Sequence, residues 1–544
     1  MIKNILTKKI VWLLLIAIVA HGFMLFLDGI SWDEHTIFSH LSFNEFGVLI
    51  SWVRGLGFIA GLPAYLGISI KLLFGNNFIF GYRLVAFLSI YLSSVLIYLI
   101  MTRSKVLGEN ESFFIAALSM VYPAVQITYN GAILHYLFCN FVFWLAVYVT
   151  LNQVFSQNEQ TSKLYLWRIL TLILFFISFF TNSILFFYYG FLVFGYLICY
   201  KGEFVNRAKY FITSNPDYVF FPPIFYFVQK VYFSPTGEWA GYNVIKISSV
   251  QDITNIIVCL GSGIYYSFIP LIRVIPGQEK IVGFLLFMLL AYLILIGIIR
   301  TLKEKKMPKE YLALFFGWFL LFMAIFPYAL GVRWLTDGVR SRNALLVGFP
   351  VSLIIFATAN LYINFLRVPK LLTRIFIVYL FMVFPLFYVR TYFNSQYAWV
   401  KEQAVVVHLS RMPQAKRFST FYIDDRTDIV DNTGGAKRFD EWAAIFRRVW
   451  GGQSRIGYDM AGYTKLDDKR YFSNLFNLAD YNPNGASANI VIDYAPGVSG
   501  ASKLMKIRKV IEYLRMRAKG KIDGEELKKL IRVKIIPRKR GFSQ

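Results

Sequence analysis

Hydrophobic positions in the first 390 residues gather into uncharged runs, clear at 10–27, 84–101, 113–129, 131–151, 281–299, 311–330, 344–366 and 375–389. A helix needs about 20 mostly apolar residues to cross about 30 Å of hydrocarbon, so these runs predict membrane-spanning helices. The uncharged stretch 169–200, entered from Leu164, is too long for one crossing and carries Thr181-Asn182-Ser183 at its middle. It predicts two helices joined by a tight turn. The first run follows Lys3, Lys8 and Lys9 as a signal peptide would, but it is long and has no convincing cleavage site, so it reads as an anchor.

Composition agrees. Of 544 residues 57% are hydrophobic, 18% aromatic and only 16% charged, and mean hydropathy is +0.52. A soluble domain carries about 25% charged residues, so in water this apolar surplus would find no interior large enough to hold it. Lys and Arg number 57 against 31 Asp and Glu, a net +26. Nucleic acid is the weaker explanation of that charge, because cytoplasmic loops of membrane proteins collect the same residues. Cys139, Cys199 and Cys259 all lie in apolar runs, which excludes a disulfide framework and the paired spacing of a zinc site.

Short basic loops stay on the cytoplasmic side. Here they are 3–9, 103–105, 163–168, 201–209, 300–309 and 367–374. With the first two inside, residues 28–83 form a large external loop whose apolar helix near 56–74 lies on the membrane or dips into it. Three apolar segments between 218 and 299 compete for an even number of crossings; 218–231 and 281–299 are preferred, with 256–272 dipping. The expected fold is mainly α, a polytopic helical membrane protein of about eleven spans, within a range of eleven to thirteen. Its N-terminus is expected in the cytoplasm of a cell membrane and its tail outside.

The chain therefore divides into a membrane domain, 1–390, and an extracytoplasmic domain, 391–544. The tail holds 28 Lys and Arg against 16 Asp and Glu, but long domains cross largely regardless of charge. Thr420 to Ile423 and Asn489 to Asp493 look like short buried strands, and 438–450, 501–518 and 523–531 like amphipathic helices, which together predict a small α/β domain.

Ser31-Trp32-Asp33-Glu34-His35 follows the first span directly, with Asp28 three residues ahead. Carboxylates beside an imidazole at a membrane surface can activate a hydroxyl or ligate a divalent cation. Ser31 and Glu34 also have the S-x-x-E spacing of a capping box, so the same residues would serve to start a surface helix. The chain continues with Leu62-Pro63-Ala64-Tyr65-Leu66, Leu73-Phe74-Gly75-Asn76-Asn77-Phe78 and Tyr82-Arg83-Leu84.

An acidic pair after the first helix, Pro with a following aromatic, L-F-G and R-L at the next helix, in that order, resembles the C-type (GT-C) integral membrane glycosyltransferases that use polyprenyl-phosphate sugars, including aminoarabinose and protein O-mannosyl transferases. The likeness covers about the first 100 residues and the general plan of many spans with an external C-terminal domain. It implies that an acidic residue of the first external loop is the catalytic base or a metal ligand, which places Asp33 and Glu34 in that role. Such a donor is already activated, so the chemistry needs a base for the acceptor and cations for the departing phosphate. No cofactor is required. A divalent cation such as Mg or Mn would sit on Asp33 and Glu34.

Arg333, Arg340 and Arg342 fall in a short external loop, against the inside bias of basic residues. The guanidinium fork matches phosphate oxygens, so these three, with Arg83, are candidates for the donor phosphate; lipid headgroups or Asp337 would also engage them. His21, Gln126, His135, Asn140 and Asn182 lie at membrane depth, where polar groups are costly; His135 is the one kept as a substrate contact, alongside His35 and Glu238. Asp424, Asp425 and Asp428 read as a surface turn at a strand end.

The leading expectation is an inverting glycosyltransferase that moves a sugar from a polyprenyl-phosphate donor to an envelope glycan, lipid or protein. A transporter or flippase of lipid-linked sugars would also explain the spans and external arginines, but not the acidic loop. A glycan polymerase is chemically close to the first.

Overall fold

The computed structural model describes residues 2–104, 107–154, 161–199, 204–236, 239–240, 249–272, 309–331, 338–365, 370–427, 429, 437–451, 455–459, 487–496, 503–520 and 522–538. The expected span at 281–299, nearly all of the basic loop 300–309, Arg333, Glu238 and Asp428 lie outside them.

Among the described residues six helical stretches are long and apolar enough to cross a membrane: Lys8–Phe26, Ile59–Ser104, Gly131–Val154, Val250–Leu271, Glu310–Leu330 and Ile375–Ser410. This is a mainly helical membrane protein with a small mixed sheet, and the described helices do not supply the eleven crossings expected. Helices α1 (Ile2–His21), α2 (Glu34–Ser42), α3 (Phe46–Gly55), α4 (Leu62–Phe74) and α5 (Phe78–Ser104) open the chain. The 13 residues of α4 reach only about 20 Å, too short to cross. Gly75, at φ +55°, turns the chain between α4 and α5, and the two helices pack together with Gly81 closed against Ile70 and Phe74.

Next come α6 (Glu109–Val121), α7 (Leu134–Val149), α8 (Thr161–Ser178), α9 (Ser183–Cys199), α10 (Phe204–Ser214), α11 (Pro216–Tyr232) and α12 (Val250–Ile272). The turn between α8 and α9 falls at Phe179 to Asn182, where the sequence predicts it. In the following region the segment expected to dip is the longer of the two described helices. With 17 residues and Pro222 and Pro223 inside, α11 is the shorter element, whereas α12 has 23 residues and is long enough to cross.

The bundle ends with α13 (Lys309–Leu330), α14 (Gly348–Phe365) and α15 (Lys370–Ser410). Small residues let helices approach closely: Gly190 faces Leu320, Gly263 faces Ile325 and Gly317 faces Ile354. The aromatic richness is also used here, with Phe143, Trp144, Phe191 and Phe349 meeting edge to face between α7, α9 and α14.

No linker separates the two domains. Helix α15 runs for 41 residues, and its early Ile375, Met382 and Leu386 are exposed on the lipid side while Val400, Ala404, Val405 and Leu409 are buried in the second core. Tyr392 closes the first core and Tyr397 opens the second, so the boundary expected at 390 falls inside a continuous helix.

The C-terminal domain packs β1 (Thr420–Asp425), β2 (Ile456–Tyr458), β3 (Ala488–Tyr494) and β4 (Ile531–Pro537) in the order β2-β1-β3-β4. β1 is parallel to β2 and β3, and β3 is antiparallel to β4, with Ile492 opposite Val533. Helices α16 (Phe439–Trp450), α17 (Lys503–Ala518) and α18 (Gly524–Lys528) complete it. Phe446 and Trp450 of α16 pack onto Phe421 of β1 with ring centroids at 4.9 and 5.8 Å, fixing α16 to the sheet.

Ion pairs on three carboxylates are among the contacts that hold this domain to the loop after α1. Asp28 pairs with Arg517 at 3.0 Å, Asp33 with Arg438 at 2.6 Å, and Glu45 with Arg447. Loop and tail therefore pack against each other.

Candidate active site

Asp33 and Glu34 are adjacent, yet they face apart because consecutive helical positions are rotated by about 100°. Glu34 is fully buried. Its Oε1 accepts from Arg83 Nη1 at 2.5 Å and from the Gly131 N–H, and its Oε2 accepts from the Ser31 N–H at 2.9 Å. Arg83, also fully buried, donates further to the carbonyls of Gly29, at 2.7 Å, and Tyr129. This pair ties the loop after α1 to α5 and to the chain entering α7. Burial raises the Glu34 carboxyl and the Arg83 guanidinium with two backbone N–H groups pulls it back. The S-x-x-E spacing is used in one half, since Glu34 accepts from Ser31, while the Ser31 hydroxyl accepts from Asn130 Nδ2 at 2.9 Å.

Asp33 points the other way, into a cavity of about 440 Å³ between the first loop, the C-terminal domain and one end of the bundle. It is the only carboxylate among the described residues that line it; Lys230, Arg342 and Arg438 are the cations, and His135, Asn182 and Gln229 the principal neutral polar groups. Aromatic rings, among them Trp32, Trp52, Phe58, Tyr136 and Tyr226, make much of the remaining wall. Trp32 holds φ +55°, a conformation costly for a bulky side chain, and its indole lies under two guanidiniums, with Arg342 at 4.7 Å and Arg438 at 5.7 Å from the centroid. Strain at a residue that carries two cations beside a carboxylate makes this cavity the candidate site.

Arg438 stands just before α16, and its Nη2 donates to Asp33 Oδ1 at 2.6 Å and to Asp440 Oδ2 at 2.5 Å. Burial works to lower the Arg438 guanidinium, but the carboxylates of Asp440, Asp33 and Glu441 outweigh it and hold the group above its ordinary range. Asp440 is buried; that burial and the nearby Asp33 charge raise its carboxyl.

Of the residues singled out from sequence, Asp33, His135 and Arg342 thus converge on one cavity. His135 opens α7, lies edge-on to Phe58 at 5.6 Å, and its Nε2 has no hydrogen-bond partner among the described residues. Arg340 is exposed and off the cavity wall. Arg83 and Glu34 hold each other instead of the cavity. His35 lies behind it in the seam between domains, its Nε2 3.4 Å from Glu402 and 3.9 Å from Glu441, with Lys437 Nζ at 3.4 Å. Burial lowers its imidazole to about 4. Asp424 and Asp425 pair with Arg426 and Lys401 in the tail. His21 is satisfied by Tyr392 and the Met120 carbonyl, and Asn140 lines a smaller inner cavity of about 80 Å³.

Sequence reasoning missed Arg438 and Lys230. Neither has a spacing that betrays it, because each reaches the cavity only through long-range packing. A divalent cation does not fit the expected pair: Asp33 and Glu34 share no face, and among the described residues no three His, Cys, Asp or Glu side chains gather as ligands. No protein family, curated protein or solved structure matches this chain.

Proposed function

We propose that this protein is an integral membrane glycosyltransferase that takes a sugar from a polyprenyl-phosphate donor and passes it, with inversion, to a hydroxyl of an envelope glycan, lipid or protein. The observation that carries the reading is that Asp33 is the one carboxylate among the described residues lining an aromatic cavity that also holds Lys230, Arg342 and Arg438. In this reading the lipid chain lies along the apolar wall and the phosphate rests between Arg342 and Arg438, whose forks suit its oxygens. The aromatic rings offer stacking faces to the sugar.

Asp33 accepts the proton of the acceptor hydroxyl as that oxygen attacks the anomeric carbon from the side opposite the phosphate. The bond from anomeric carbon to phosphate oxygen breaks, and the two arginines take the charge that develops on the leaving group. Net positive charge in a partly desolvated cavity makes that stabilisation larger than it would be in water. The first loop and the tail would face the outside, with the N-terminus in the cytoplasm, which puts the acceptor on the envelope side.

The test is product analysis with purified full-length protein in nanodiscs and synthetic polyprenyl-phosphate sugars. A new glycosidic product with free polyprenyl phosphate, abolished in Asp33→Asn, supports the reading. Movement of the intact donor across the bilayer without cleavage would assign the cavity to a flippase.

A further inference from the structure

Arg438 belongs to the C-terminal domain, yet it lines a cavity otherwise built largely from the membrane domain. One nitrogen, Nη2, serves two carboxylates of different standing. Asp440 is nearly buried, at 6% side-chain exposure, whereas Asp33 is 25% exposed toward the cavity. Glu441 Oε1 lies 3.6 Å from Nε of the same guanidinium, and Nη1 makes no hydrogen bond among the described residues. A fork with one arm shared and another unused is poised to exchange a partner. Its Cζ also lies 5.7 Å from the centroid of Trp32, the ring that Arg342 covers at 4.7 Å, so the two cations share one indole.

The position of Asp33 makes the exchange consequential. While Arg438 holds it, the carboxylate's Oδ1 is occupied by Nη2 and is closed to an acceptor hydroxyl. A phosphodiester arriving beside Arg342 carries one negative charge, as the carboxylate does, but its two non-bridging oxygens accept both arms of a guanidinium fork, where Asp33 takes only Nη2.

We propose that Arg438 exchanges Asp33 for the phosphate of the substrate while Asp440 stays as its anchor, so that donor binding itself uncovers the base. The inference rests on the reading of the cavity as the site of a phosphorylated lipid. It adds that the base is idle until an anionic donor binds, and that the C-terminal domain supplies the moving part.

The experiment measures binding of decyl phosphate to the full-length protein in nanodiscs, which needs no turnover. Asp33→Asn should tighten binding about fivefold, by relieving Arg438 of one partner, and Arg438→Met should weaken it about tenfold or more. The double variant should bind like Arg438→Met alone, since the gain from Asp33→Asn acts through Arg438. Arg438→Lys, which keeps the charge at the domain seam and guards against misfolding, should weaken binding about threefold for want of a fork.

A gain from Asp33→Asn that persists in full in the double variant is plain removal of negative charge and overturns the exchange. So does an Asp33→Asn variant that binds no better than the parent. Either result, with decyl phosphate bound by the parent, leaves the donor reading standing. If the parent binds no decyl phosphate, both the exchange and the donor reading fall.

Discussion

Replacing the two adjacent carboxylates one at a time should separate chemistry from structure. Glu34→Gln keeps the shape of the side chain but removes the charge opposite a fully buried guanidinium, and it turns an accepting oxygen into an amide donor facing either Arg83 or the Ser31 N–H. Breaking one side of a buried pair costs about 3–5 kcal/mol. Arg83 keeps the carbonyls of Gly29 and Tyr129, which places the loss near the low end, about 3 kcal/mol. Against a total stability of roughly 5–15 kcal/mol that is a severe change. Asp33→Asn instead loosens a pair whose partners are 25% and 40% exposed, worth at most about 1 kcal/mol. Its turnover should nevertheless fall about 100-fold or more, the loss expected when a general base is removed. Thermal unfolding followed by tryptophan fluorescence in detergent, beside initial rates with a synthetic donor, reads both effects. Glu34→Gln melting with the parent while losing as much turnover as Asp33→Asn would refute the structural assignment of Glu34. Full turnover in Asp33→Asn would remove Asp33 from the chemistry.

Arg342→Lys keeps the charge but not the paired hydrogen bonds, so turnover at saturating donor should drop about tenfold while the melting temperature holds; an unchanged rate would make Arg342 a headgroup contact. Trp32→Gly should relieve about 1 kcal/mol or more of backbone strain at φ +55° and still reduce turnover, since the surface beneath both guanidiniums is gone; an active variant would make the strained indole incidental. His35 titrates near 4 in the fold against 6.5 when unfolded, so the unfolded chain binds more protons between those values and stability falls as pH drops from about 6.5 to 4, by up to about 3 kcal/mol. His35→Gln should flatten that part of the melting-temperature profile, and an unchanged slope would place the acid sensitivity elsewhere. Single cysteines at Ser42 and Arg508 should both react with an impermeant thiol reagent in intact cells, and labelling of one without the other would contradict the docking of tail on loop.

The membrane character, most of the helices and the turn at Phe179 to Asn182 were legible in the sequence, because the cost of an unsatisfied backbone or a charge in hydrocarbon writes itself into composition over each run of about 20 residues. Strands β1 and β3 were legible too, as short apolar runs. The alternation in Ile531-Arg532-Val533-Lys534-Ile535 is that of a strand, β4, which begins at the last residue of the helix expected over 523–531 and pairs with β3.

Asp33, Arg342 and His135 could be chosen from sequence because a carboxylate at a membrane face, an external arginine and a deep imidazole are each unusual on their own. What no local pattern held was how they are shared out. Adjacent Asp33 and Glu34 look equivalent along the chain, and only burial of Arg83 beside Glu34 turns one into a structural tie and leaves the other for the cavity. Arg438 lies 405 residues from the aspartate it touches, brought there by α16 packing on the sheet and by the tail docking on the loop. Charge and hydropathy are properties of a short segment and survive in one dimension. Pairing depends on which surfaces the whole chain buries together, and that only the tertiary structure decides.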